Sequence, residues 1–176
     1  MKRAQVIVLC EDKQHSVFVY RFLKRSTNHR IRVIAAPPGE GSGEQFVREE
    51  YPKELRALRA ATVNAVLIVM IDGDPAAGPT ERSEQLDASC RQFDIPPRRP
   101  GEPVALLVPK RNIETWLAYL DGTTVNETDN YPRLDRPSDC RTHVRTLADM
   151  CSRRRLRQPA PPSLVAACDG FRNLFP

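Results

Sequence analysis

Two stretches constrain this chain more than any other feature. Residues 4–10 (AQVIVLC) and 63–71 (VNAVLIVMI) are apolar at nearly every position and rich in branched side chains. A strand with one wet face alternates polar and apolar residues, whereas a continuous apolar run marks a strand buried on both faces, as in a parallel sheet. Residues 30–35 (RIRVIA) alternate and read as a second strand, and 104–108 (VALLV) as a fourth. Helical spacing falls between them. Val19, Phe22 and Leu23 share one stripe over 15–26, and Phe46, Val47, Tyr51, Leu55 and Leu58 share another over 44–61. Pro52 predicts a kink or a break between two helices in that second segment. Residues 79–92 read as a polar surface helix and 112–120 as the start of another. Strands that alternate with helices imply right-handed crossovers. The expected fold is therefore α/β, a mainly parallel four-stranded sheet with helices on both faces.

After residue 120 the character changes. Residues 121–136 are polar and turn-rich, and 139–152 and 162–174 read as helices separated by Pro159, Pro161 and Pro162. The expected organisation is an α/β domain over 1–122 and a basic, proline-rich helical extension over 123–176, packed on the same domain. The length of 176 residues suits one domain. The longest apolar run, Ala65 to Ile71, is far short of the roughly 20 residues that span a bilayer. The five cysteines are odd in number and form no CxxC. Cys140, His143, Cys151 and Cys168 match no zinc spacing, so free thiols in a reducing cytoplasm are expected.

Net charge is +5, and its position is more informative than its size. Residues 136–176 hold eight arginines and three acids, so the whole excess lies there. The densest cluster is Arg153, Arg154, Arg155 and Arg157. It is read either as a solvated helix end favoured by the helix dipole or as a contact for a nucleic-acid backbone.

Ligands of open parallel sheets bind beyond the carboxyl ends of the strands. Glu11 and Asp12 follow strand one, and Asp72, Gly73 and Asp74 follow strand three. Lys110, Arg111 and Asn112 follow strand four, with Glu114 in the first helical turn beyond. Carboxylates gathered on one edge repel one another. A hard divalent cation relieves that repulsion, because Mg²⁺ takes oxygen ligands and keeps several waters. Gly73 is expected to let Asp72 and Asp74 turn toward one ion. Lys110 is a candidate neutraliser of the acids or stabiliser of developing phosphoryl charge. Trp116 and Cys10 are expected in the core, His15 on the surface at a helix start, and Gly39–Gly43 as a flexible loop.

The segments VIVLCED (6–12), LIVMIDGDP (67–75) and VPKRNIETWL (108–117) resemble the TOPRIM fold. They especially resemble small stand-alone TOPRIM-like proteins and the nuclease domains of overcoming-lysogenization-defect (OLD) nucleases. The resemblance covers roughly residues 4–120. It implies Glu11 as a metal ligand or general acid/base, and Asp72 and Asp74 as metal ligands. Glu114 and Lys110 are the matching acidic and basic residues after the next strand. Asp12 stands where the family usually has glycine, and glycine returns after the DxD only at 78. The implied activity is Mg²⁺- or Mn²⁺-dependent phosphodiester chemistry on nucleic acid, DNA rather than RNA, within a phage-defence system. Arg111 and the 153–157 arginines would then hold the backbone. Two alternatives stand beside it. One is a non-catalytic, nucleic-acid-binding TOPRIM subunit working with an ATPase partner; a homodimer is a separate expectation for either reading. The other is a receiver-like phosphoacceptor domain, in which Asp72 would be the acceptor.

Overall fold

The computed structural model describes residues 4–39, 41–73 and 78–175. Four strands, β1 (Gln5–Cys10), β2 (Arg30–Ala35), β3 (Ala65–Met70) and β4 (Val104–Leu107), form one sheet in the order β2-β1-β3-β4. Every pairing is parallel. The helices are α1 (Lys13–Ser26), α2 (Gly43–Ala60), α3 (Gly78–Gln92), α4 (Ile113–Leu120), α5 (Arg141–Ser152) and α6 (Pro162–Leu174). A short 3-10 turn over Pro137–Cys140 leads into α5.

The continuous apolar runs are central strands, as their composition requires. All of Ala65–Met70 is buried, as is Val6–Cys10. Alternate residues feed two cores. Val6, Val8 and Cys10 point with Ile68 and Met70 toward α1 and α4–α6. Ile7, Leu9, Leu67 and Val69 point toward Val47, Tyr51 and Leu55 of α2 and Leu86 of α3. β2 lies at an edge and keeps the alternating, half-exposed pattern of its sequence.

One local expectation narrows and another changes. Of the kink or break expected at Pro52, the break does not occur: Gly43–Ala60 is a single helix with Pro52 inside it. Proline in a helix interior costs about 3 kcal/mol. Burying Val47, Tyr51, Leu55 and Leu58 on the sheet offsets this, at roughly 1.5–3 kcal/mol for each large apolar side chain. α3 is polar but not purely a surface helix, because Arg82, Leu86, Ser89 and Cys90 form a narrow buried stripe.

Residues beyond 122 complete a core. Cys140, Val144, Leu147, Leu164, Ala167 and Cys168 are buried in the cluster that includes Val6 and Ile68. Trp116 is 2 % exposed, and its Nε1 donates to Ser163 Oγ at 2.8 Å, tying α4 to α6.

The order β2-β1-β3-β4 sets where a site can form. The chain leaves β1 through α1 toward β2 and returns through α2 to β3 on the other side of β1. The carboxyl ends of β1 and β3 therefore flank the point where connections diverge, the usual crevice of such sheets. No described helix is long and apolar enough to cross a membrane.

Candidate functional site

The crevice is held together by contacts between residues far apart in sequence. Glu11 leaves β1, and its Oε2 accepts from the Asp72 backbone N–H at 2.9 Å. One carboxylate thereby fixes the backbone that carries the next. Asp72 Oδ1 lies 2.9 Å from His15 Nε2. Arg82 Nε donates to the Asp72 carbonyl at 3.0 Å, and its guanidinium pairs with Glu44 at 2.5 Å. Glu114 is buried in the first turn of α4, with Arg133 Nε at 3.3 Å. The same Arg133 reaches Asp12 at 3.4 Å.

Two glycines permit this closeness. A side chain at Gly43 would meet the Glu11 carbonyl and bring its Cβ to 2.7 Å from Glu11 Cγ. One at Gly73 would strike the Lys110 carbonyl and lie 2.8 Å from that of Pro109. Gly73 N–H also donates to the Pro109 carbonyl at 2.7 Å, joining the β3 and β4 exits. Gly73 is thus required by close backbone approach, not by a left-handed turn; its φ is not positive.

Charge follows from this packing. Burial pushes the Glu11 carboxyl up, with help from Asp72 and Asp12, against the Asp72 N–H and His15. Burial likewise raises Glu114, with repulsion from Asp72, against its own backbone N–H, Arg133 and His15. For His15, burial works against the charge. The hydrogen bond to Asp72 and the fields of Asp72, Asp12 and Glu11 overcome it, and the imidazole is pushed up to about 9. A buried imidazolium thus stands against the carboxylates.

His15 is a correction to the sequence reading. It is 0 % exposed, not a surface residue. The signal was present: His15 lies on the stripe of Phe18, Val19 and Phe22, one turn before the first two and two turns before the third. Asp12, which takes the place of a glycine in the resembled family, caps α1 by accepting from the His15 N–H at 2.8 Å. Arg82, Glu44 and Arg133 were also missed. Arg82 shares the buried stripe of α3 with Leu86, but Arg133 lies in a segment with no periodicity and leaves no such signal.

The structure brings together Glu11, Asp72 and Glu114 of the expected set, while Asp74 lies outside the described residues. Lys110 is half-buried beside Gly73 at the β4 exit. The expected phosphate contacts divide. Arg111 is committed to the neighbouring turn, donating to Asn130 Oδ1 at 2.8 Å and the Thr128 carbonyl at 3.0 Å. Arg157 is not a free cation either. It donates to the Tyr119 carbonyl at 2.6 Å and the Thr123 carbonyl at 2.9 Å, and stacks on the Tyr119 ring at 4.6 Å. Arg157 thereby ties the end of α4 and the turn after it to the segment that follows α5. Arg153, Arg154 and Arg155 are exposed.

A cavity of about 450 Å³ opens beside Glu11 and Asp12, with Gly39, Gly41 and Arg133 on its walls. Among the described residues, no three His, Cys, Asp or Glu side chains are arranged to ligate one ion. Glu11, Asp72 and the buried Glu114 nonetheless offer carboxylate oxygens, the ligand type that hard divalent ions take. No family model matches the chain, and no curated protein or solved structure matches it.

Proposed function

We propose that this chain performs divalent-metal-dependent phosphodiester cleavage on nucleic acid, as a nuclease of TOPRIM type. The observation that carries the reading is the coupling of Glu11 to Asp72 across the β1 and β3 ends, with Glu114 buried beside them. Three carboxylates in one crevice, two with raised proton affinity, form a site that gains from a cation. Glu11, Asp72, Asp74 and Glu114 would hold Mg²⁺ or Mn²⁺. Such ions, when bound, polarise a phosphodiester and lower the pKa of an attacking water.

The chain's own residues have distinct tasks in this reading. Glu11 orients the Asp72 backbone and accepts a proton from water. His15 holds the Asp72 carboxylate in one rotamer. Arg82 fixes the Asp72 carbonyl from the opposite side of the sheet. Lys110 stabilises charge developing on the phosphoryl oxygens. The exposed Arg153, Arg154 and Arg155 contact backbone phosphates. Purified protein should cut plasmid or single-stranded DNA with Mg²⁺ or Mn²⁺ and not with EDTA. Asp72→Ala, verified as folded by circular dichroism, should lose that activity. Cleavage by this variant at the parental rate overturns the reading.

A second reading has its own support. His15 and Arg133 already stand as cations against Asp72, Asp12 and Glu114. That suits a nucleic-acid-binding subunit that is silent without a partner such as an ATPase. Salt-sensitive DNA binding with no cleavage, and no Mn²⁺ uptake by isothermal titration calorimetry, is its signature.

A further inference from the structure

The opposite end of the molecule carries a feature that metal chemistry does not use. Cys151, at the end of α5, and Cys168, in the middle of α6, bring their Sγ atoms within 2.9 Å. A disulfide needs about 2.05 Å, so less than about 1 Å of closure separates this pair from a bond. Both cysteines are free. We propose that Cys151 and Cys168 form a peroxide-reactive dithiol, in which Cys151 is attacked first and Cys168 resolves it to a disulfide. This proposal is independent of the nuclease reading.

The asymmetry of the pair assigns the roles. Cys151 is half-buried and lines an open cavity of about 710 Å³ with Arg25, Arg154, Arg172 and Asp149; Arg25 pairs with Asp149 and Arg172 with Asp169. Cys168 is 5 % exposed and stands behind it. A thiolate is the nucleophile, and a neighbouring donor or cation favours it. The thiol contact with Cys168 lowers Cys151, against burial, and Arg172 adds to the lowering. Cys168 is raised by the same contact and by burial. The remaining cysteines are apart from any such arrangement. Cys10, Cys90 and Cys140 are fully buried, and burial raises all three.

The chemistry balances with hydrogen peroxide as the oxidant. The Cys151 thiolate attacks one peroxide oxygen, an S–O bond forms, the O–O bond breaks and hydroxide leaves. Cys151 sulfur, oxidised by two electrons, is then a sulfenic acid. Cys168 attacks it, the S–S bond forms, and the S–O bond breaks. The departing oxygen takes up the Cys168 proton and leaves as water. The net change is two thiols and one peroxide to one disulfide and two waters. The new bond would clamp α5 to α6 and close a loop over residues 152–167, which contains all four clustered arginines.

The test uses the full chain, reduced and freed of reductant, with one equivalent of hydrogen peroxide. The expected result is a 2 Da loss in intact mass and a peptide map linking Cys151 to Cys168. Titration in denaturant should then find three thiols where the reduced chain has five. Cys168→Ser should accumulate a sulfenic acid at Cys151 that dimedone traps. Cys151→Ser should give neither the linked peptide nor the adduct. Folding of both variants is checked by circular dichroism, and the wild-type mass and map stand without them. Five thiols remaining in the wild type, a disulfide joining any other pair, or Cys151 passing to sulfinic acid with Cys168 still reduced overturns the proposal.

Discussion

The acidic crevice and the arginine cluster are the two most charged regions of this chain, and they are built in opposite ways. In the crevice the charges come from stretches far apart in sequence, and nearly every one meets a partner. Glu11 meets the Asp72 N–H, Asp72 meets His15, and Glu114 and Asp12 share Arg133. In the cluster the four charges are neighbours in sequence, yet three face solvent and the fourth holds α4 in place. Density along the chain therefore says little about a site. Convergence from distant elements costs desolvation and repulsion, and that cost is what singles out the crevice as the candidate site.

The largest expected effect lies in the crevice. If the carboxylates work on phosphodiesters, Asp72→Ala should lower the cleavage rate by on the order of 10³-fold, matching several kcal/mol of lost transition-state stabilisation. Arg153→Ala should reduce the rate far less under the same conditions. Equal losses in the two variants, measured by initial rates on one labelled duplex, would erase the distinction between the regions.

Gly73→Ala comes next and tests packing. Its Cβ would enter the Lys110 carbonyl, which is backbone and cannot swing away. Overpacking of this kind costs about 1–3 kcal/mol. Urea unfolding should show that loss, while Gly39→Ala, with open space around it but a φ of +80, should lose less.

His15 gives the crevice a pH signature. Its folded-state value near 9 lies above the ordinary imidazole value of 6.5. The contribution to stability is therefore complete below about pH 6.5 and fades as pH rises through 9, because the folded state binds the proton that the unfolded state has released. The shift corresponds to on the order of 3 kcal/mol. Urea midpoints should fall between pH 6.5 and 9.5, and His15→Gln should flatten that slope. A wild-type profile without the fall would mean that the imidazole is neutral in the fold.

These sites also show what was legible in the sequence. The strand runs, the parallel sheet and the edge that gathers Glu11, Asp72 and Glu114 follow from local apolar patterning plus one topological rule, so a single chain suffices to find them. His15 and Arg82 were legible only through the apolar stripes they share, where hydropathy alone suggests a surface. Arg133 was not legible, because its role depends on the path of an aperiodic segment. The contacts of Arg157 were not legible for a related reason: its guanidinium answers carbonyls at 119 and 123, partners that no local pattern announces.

The smallest predicted effect separates strain from function inside the cluster. α5 ends with Arg154 N–H donating to the Cys151 carbonyl at 3.1 Å and Arg155 N–H to that of Met150 at 3.0 Å, the pair of bonds that surrounds a left-handed residue at a helix terminus. That residue is Arg154, with φ +51, where glycine is the usual occupant. A left-handed backbone costs an L-residue about 1–2 kcal/mol, part of which glycine returns through its freer unfolded chain. Arg154→Gly should therefore stabilise the protein by about 0.5 kcal/mol in urea. If the exposed arginines contact phosphate, the same change should weaken DNA binding and reduce the salt slope by about 1, as loss of one phosphate contact does. A gain in stability with an unchanged salt slope would make Arg154 a solvated helix end. A lower slope would show that the chain keeps a strained arginine there for the charge it carries.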